Sequence, residues 1–418
     1  MKRIVYLQLI LVIFISVLVG YYFGVNKVAF QWQNYKPVLN ISSKEPPESV
    51  SNMDFANFWK VWQDIEVNYY DKSKLNPQKM LDGAISGMVS SLDDPFTVYL
   101  PPTQNNNFKQ GLAGQFEGIG AELGLKEKRI IVVAPLNGSP AQKAGVRAGD
   151  MILAVNDEST DNWTISQAVE KIRGPKGSEV ELTVVRDEKN KKDIKIVRDT
   201  ITINSVEGYV KKAKDIEGVK IPKDISEKQV AYISLSQFGD NTNQDWLLMI
   251  NKISLEMKNK KVEGVIFDLR NNPGGYLTDA NFIAAEFLKE GTPVVIQEEG
   301  NGEKTTMKVN RKGLLLDVPL IVLINKGSAS ASEIVAGALR DHSRAKLYGE
   351  VSFGKGTIQQ SEDLGNGAGL HVTIAKWLTP NETWVHGKGL TPDVEVKFDN
   401  NDPSHDFQLE KAIIDLLK

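Results

Sequence analysis

The 418-residue sequence predicts an α/β multidomain protein: an apolar N-terminal helix, a helical region, a small β-rich module and a layered α/β core. Three observations carry that prediction. An uncharged stretch near the start is long enough to cross a bilayer. A segment of short, alternating strands lies in the middle of the chain. From there to the end, buried apolar runs alternate with helical periodicity, as a layered domain requires. The elements divide the chain into 1–26, 27–52, 53–112, 113–200 and 201–418.

Ile4 to Val25 is apolar apart from Gln8 and Ser16, with no charge until Lys27. At 1.5 Å per residue such a helix covers roughly 33 Å, enough for a bilayer core. Lys2 and Arg3 precede it, so the positive-inside rule predicts a single-pass anchor in the cell membrane with an extracytoplasmic body. A cleaved signal peptide is the alternative, but the run is long for an h-region and no A-x-A spacing follows it. Residues 27–52, with Pro37, Pro46 and Pro47, read as a tether. Across 53–112, Phe55, Phe58, Trp59, Trp62 and Ile65 recur at helical spacing, as do Met80, Ile85, Met88 and Val89, before a turn at Asp93-Asp94-Pro95. The aromatics read as core or subunit contacts.

Within 113–200, Ile130–Val133, Met151–Val155 and the alternating Val180, Leu182 and Val184 predict strands. Ser139–Ala144 and Ser166–Ile172 predict short helices. In 201–418 the apolar runs Val230–Leu235, Gly264–Phe267, Pro319–Ile324 and Val372–Leu378 predict strands. Thr242–Met257 and Ser332–Leu339 predict helices between them.

Composition narrows the chemistry. A net charge of −3 leaves no basic excess for phosphates, which argues against nucleic acid as a partner. With no cysteine, disulfides, thiolate metal sites and a cysteine nucleophile are all excluded. No H-E-x-x-H or other paired ligand spacing occurs, so neither metal nor cofactor is expected.

Three stretches in the core can do chemistry. Asp268-Leu269-Arg270-Asn271-Asn272-Pro273-Gly274-Gly275 follows a buried strand, and a Pro-Gly-Gly turn there exposes backbone N–H groups that can cradle an anion. Asn325-Lys326-Gly327-Ser328-Ala329-Ser330-Ala331-Ser332-Glu333 lies between a strand and a helix start near Ser332-Glu333, where the helix dipole favours an alkoxide. Gly354-Lys355-Gly356-Thr357-Ile358-Gln359 sets a lysine between glycines. A free lysine, with a pKa of about 10.4, is almost wholly charged at neutral pH. Burial can lower that value by about 3–5 units, enough to make a base. Gln359 can hold the amine in line by hydrogen bonding.

Competing readings are weaker. The four histidines, His342, His371, His386 and His405, lie in no G-x-S-x-G setting. Gly349-x-x-x-x-Gly354-Lys355 imitates a phosphate-binding loop beside the Walker-B-like Val265–Asp268, but Gly356 stands where the magnesium-binding hydroxyl belongs. Gly118, Gly120 and Gly124 imitate a dinucleotide fingerprint, but charged residues and a strand follow them rather than a helix.

The order and spacing of the three stretches resemble the C-terminal processing peptidases, envelope and chloroplast serine proteases that carry a PDZ domain. The likeness runs from about Phe55 to the end and includes Leu92-Asp93-Asp94-Pro95-Phe96. It implies a crotonase/ClpP-like layered core with an inserted PDZ domain. It also implies a nucleophile at Ser330, a base at Lys355 assisted by Gln359, and an oxyanion hole of Ala331 N–H with a glycine N–H from either Gly274 or Gly275. Phe116-Glu117-Gly118-Ile119-Gly120 resembles the PDZ loop that takes up a C-terminal carboxylate, with the tail added as a strand beside Ala121–Leu125. Arg173 matches an arginine that couples tail binding to activity in some relatives; a solvated surface arginine is the alternative. The partners implied are proteins with exposed, apolar-ended C-terminal tails; a homodimer through Phe55–Leu92, a monomer with that region folded onto the core, and an adaptor all stay open. A non-catalytic PDZ scaffold is the rival reading of the whole chain.

Overall fold

The computed structural model describes residues 15–17, 28–33 and 36–41, and residues 53–418 with breaks at 127–128, 137, 148, 164, 187–189, 203, 400–401 and 403. The predicted membrane span and much of the tether therefore lie outside the described residues. Among the described residues, no helix is long and apolar enough to cross a membrane. The chain forms two compact units, Met1–Met80 and Leu81–Lys418.

In the first unit, Val28–Gln33 pairs antiparallel with Lys36–Ile41. The helix Ala56–Asn68 carries the predicted aromatic stripe but buries none of it. Phe58, Trp59 and Trp62 instead pack on one another, with the Phe58 and Trp59 ring centroids 4.9 Å apart. The core half of the expectation is not met in this unit; the subunit-contact half concerns a second chain.

In the second unit, the β-rich module is entered and left on paired strands, Gln115–Gly118 against Asp199–Thr202. Its main sheet runs in the order Asn190–Val197, Glu179–Arg186, Met151–Val155, Arg129–Pro135 and Ala121–Lys126. Ile130, Val132, Ile152, Leu182 and Val184 fill its core, so the predicted alternation holds. Ala121–Lys126 is an edge strand, flanked by the helix Ile165–Ile172.

The remainder is built on a six-stranded sheet ordered Val206–Lys212, Gln229–Leu235, Val262–Asp268, Leu320–Ile324, Lys346–Gly349 and Val394–Glu395. Its first pair is antiparallel and the others are parallel. The central strands are apolar throughout because both faces are covered. Val265 and Phe267 enter one core with Trp246, Phe287 and Leu339. Ile266 enters the opposite core, where Leu409, Ile413 and Leu417 of the C-terminal helix Phe407–Leu417 cover it. A second, antiparallel sheet is ordered Lys304–Lys308, Pro293–Glu299, Gly369–Leu378 and Thr357–Asp363; Val98–Leu100 pairs with Gly369–Leu378.

Val262–Asp268, Leu320–Ile324 and Lys346–Gly349 are neighbours and run in the same direction. Their following loops therefore leave from one edge of the sheet, the place where open α/β sheets bind ligands. All three chemically suggestive stretches are such loops.

Candidate active site

The loops are tied together before any side chain reaches the site. Asn272 is fully buried; its Nδ2 donates to Leu235 O at 2.8 Å and its carbonyl accepts from Ala329 N at 2.9 Å. Asn325 Oδ1 accepts from Asn271 N and Gly327 N, both at 2.9 Å, and its Nδ2 donates to Asn271 Oδ1. The Pro-Gly-Gly turn and the serine loop thus form one rigid body.

The serine run alternates in role. Ser328 Oγ donates to Leu269 O at 2.8 Å, and Ser332 Oγ lies 2.9 Å from Asn272 O and 2.8 Å from Ala329 O. Both are buried. Ser330, between them, lines a cavity of about 600 Å³ together with Lys355, Gln359, Ala331, Gly274 and Gly275. It is also the N-cap of the helix Ala331–Asp341, which begins one residue before the expected start at Ser332. Its backbone, at φ 54° and ψ −116°, lies in a region that residues with a Cβ rarely occupy. Such a strained turn thrusts its side chain out of the fold.

Backbone geometry separates the two glycines. Gly274 packs so closely on the serine loop that a Cβ there would lie 2.8 Å from Ser330 Cβ and 3.0 Å from Ala331 N. Its N–H, however, is taken by Asn272 Oδ1 at 2.8 Å. Phe238 bridges to Gly274 O and Tyr276 N. Backbone groups alternate along an extended chain, so the Gly275 N–H turns away from Phe238. Among the described residues, neither Gly275 N–H nor Ala331 N–H has an acceptor.

Lys355 is half-buried. Loss of hydration pushes its pKa below that of a free lysine, and the Asp94 carboxylate pulls the other way. Its Nζ rests over the Phe96 ring, 5.0 Å from the centroid, and no hydrogen bond joins it to Ser330 Oγ or Gln359. Gln359 Nε2 donates to Thr357 Oγ1 at 2.9 Å and to Thr373 Oγ1 at 3.1 Å. The structure therefore gathers all three residues at one cavity but does not link them. His371 lines the same cavity, with its ring edge against Phe108 at 4.5 Å. Burial, helped by Lys355, holds its pKa below the usual imidazole range.

Sequence reasoning missed Glu333. It is fully buried, and its carboxylate accepts four hydrogen bonds. Oε2 takes Ser330 N at 2.8 Å and Lys355 N at 2.9 Å; Oε1 takes Ser352 Oγ at 2.6 Å and Gly354 N at 2.7 Å. One side chain thus fixes the serine loop to the lysine loop. The available signal was the spacing Ser330-x-x-Glu333, which marks a capped helix start.

In the β-rich module, the N–H groups of Ile119 and Gly120 have no acceptor among the described residues. Gly120 has φ +70°, and a Cβ there would come within 2.6 Å of Ser139 Cβ. Gly118 ends the strand Gln115–Gly118. Arg173 is exposed, but its guanidinium lies over the Phe116 ring, 4.9 Å from the centroid. It borders a second cavity of about 950 Å³, which shares Gly111 and Gln237 with the first.

Three family models match this chain: "Peptidase family S41" over residues 229–396, "PDZ domain" over 131–186, and "Activating protease CtpB N-terminal domain" over 14–103. Carboxy-terminal processing protease CtpB of Bacillus subtilis is 36% identical over 383 residues, which is 90% of this chain and 74% of the relative. Carboxy-terminal processing protease CtpA of the same organism is 36% identical over 349 residues, 84% of this chain and 70% of the relative. Among solved structures, the photosystem II D1 C-terminal processing protease is 29% identical with a TM-score of 0.50, covering 81% of this chain and 92% of that one. A putative S41 protease from Bacteroides fragilis shares the fold, with a TM-score of 0.54 at 16% identity, covering 84% and 92%.

Proposed function

The chain belongs to the C-terminal processing proteases of peptidase family S41 and is a serine-type peptidase; on that premise we propose that Ser330 is its nucleophile and Lys355 its general base. One observation carries this reading: Ser330, Lys355 and the N–H groups of Ala331 and Gly275, unpaired among the described residues, line a single cavity. Neutral Lys355 takes the Ser330 proton as Oγ bonds to the scissile carbonyl carbon. The carbonyl π electrons move to oxygen, where the two N–H groups hold the charge. As the C–N bond breaks, the Lys355 ammonium protonates the leaving amine. Water then attacks the acyl-enzyme, giving its proton to Lys355, and Ser330 is regenerated. The four-carbon lysine stem lets the amine reach Ser330 Oγ while it stays beside the Phe96 ring, and Gln359 holds it there.

Substrates are proteins with exposed, apolar-ended C-terminal tails. The apolar cavity wall of Val98, Leu100, Leu277, Ile334, Ile358 and Trp377 suits an apolar side chain next to the cleaved bond. The open edge of Ala121–Lys126 suits a tail added as a strand, with Ile119 and Gly120 N–H groups on its carboxylate. Arg173 is placed to couple the occupied module to the core. A parallel sheet beside an antiparallel one supports the crotonase/ClpP-like layering. The apolar run Ile4–Val25 would anchor the enzyme in the cell membrane with this body outside, acting on envelope proteins.

The test is incubation of an unfolded protein with an apolar tail, followed by mass spectrometry of new C-termini. Wild type should cut and Ser330→Ala and Lys355→Ala should not; blocking the tail with an amide should slow the wild type. Undiminished cleavage by either variant would remove the dyad.

A further inference from the structure

Building on that dyad, we propose that Asp94 and Phe96 are positioning residues for Lys355, stabilising the ammonium that forms when the amine accepts the Ser330 proton. Lys355 Nζ stands 5.0 Å from the Phe96 ring centroid, within reach of the ring's negative face. Asp94 is locked in place, with Oδ1 accepting Phe96 N–H at 3.0 Å and Oδ2 accepting from Thr97 Oγ1 at 2.7 Å. Burial opposes its ionisation, but hydrogen bonds from Thr373, Thr97 and Phe96 outweigh this and hold its carboxyl below the usual range. The charge so fixed favours a protonated Lys355. The same turn reaches Gln359: Thr97 Oγ1 accepts Thr373 N at 3.0 Å, and Thr373 Oγ1 accepts from Gln359 Nε2.

The chemistry explains the need. A dry cavity makes lysine neutral, but it also makes it a weak base, because the ammonium produced by proton transfer loses its water. The Phe96 face and the Asp94 charge replace that water. Other titratable groups around Lys355 are His371 on Gly369–Leu378, His386 packed on Phe96 at 5.9 Å, and Glu333 at the Lys355 main chain. Both variants below keep these three side chains, and Asp94→Asn also keeps the Phe96 ring against which His386 packs.

Asp94→Asn keeps the side-chain size and its bond to Phe96 N–H; Phe96→Leu keeps apolar volume without the ring. kcat/KM is measured against pH on a fluorogenic peptide spanning a mapped cleavage site. In Asp94→Asn the acid limb should move about 1 unit lower, the low end of a neighbouring charge's effect. In Phe96→Leu it should move the same way by less. The plateau should fall about tenfold in each, the worth of one such contact in the transition state. A structural role alone would lower the plateau and leave the limb where it is, and that result in both variants overturns the proposal. Should Asp94→Asn not fold, Phe96→Leu decides. Full activity in Lys355→Ala would instead overturn the dyad, so the two failures are distinguishable.

Discussion

Replacing Glu333 by glutamine changes one oxygen to an amide, and the structure says what that does. With its NH₂ at the Oε2 position, glutamine would face two N–H donors, Ser330 and Lys355. With NH₂ at the Oε1 position it faces Ser352 Oγ, which can turn to accept, and Gly354 N–H, which cannot. Glutamine takes the second pose, loses one hydrogen bond, strands a buried N–H and weakens the others by removing the charge. Hydrogen bonds to charged groups contribute about 1.5–3 kcal/mol each, so the predicted loss of stability is about 2–4 kcal/mol. At roughly 2–4 °C per kcal/mol for a domain of this class, Tm should fall by about 4–16 °C. The serine and lysine loops then drift apart, and a misplacement of about 1 Å costs roughly 10²-fold in kcat. Calorimetry and peptide cleavage on Glu333→Gln test both figures. An unchanged Tm together with kcat within about twofold of wild type would refute the clamp, since that result is incompatible with four buried bonds to one carboxylate.

Three further expectations follow from the same geometry. Ser330→Gly should relieve the φ 54° strain and raise Tm by about 2–4 °C, whereas Ser330→Ala keeps the strain; thermal melts of the two inactive variants compare them directly. Lys355 has a folded pKa below its unfolded one, so the native state binds fewer protons between the two values and stability rises with pH through that window. Lys355→Met should lose this rise, be no less stable than wild type at neutral pH, and be inactive, as melts across alkaline pH would show. Gly275→Ala would drive a Cβ to within 1.7 Å of Phe238 O, so the turn must move. Its kcat should fall by about 10²-fold or more with KM less affected, read from steady-state kinetics.

Much of the chain was legible because its signals are local. The central strands announced themselves as apolar runs, since both their faces are covered. The lysine between glycines and the Pro-Gly-Gly turn marked themselves by unusual backbone needs. What stayed hidden depends on partners distant in sequence. Thr357–Asp363 shows no alternation because most of it is exposed, and its ladder to Gly369–Leu378 places it. Glu333 looked like an ordinary helix start because its other donors lie on the following loop. Among the described residues, which of Gly274 and Gly275 keeps an unpaired N–H turns on a single bond to Asn272. Asp94 and Phe96 read as a turn, and nothing local marks their approach to Lys355. The aromatic stripe of Ala56–Asn68 was the reverse case: correct as periodicity, but not buried within the described chain, which leaves the subunit-contact reading.

The placement of the reactive loops at the ends of three neighbouring parallel strands has a consequence for the cell that makes this protein. None of those loops can find its partners until long-range strand pairing is complete, which is among the slower steps of folding. A nascent or misassembled chain therefore holds a serine and a lysine but no working centre.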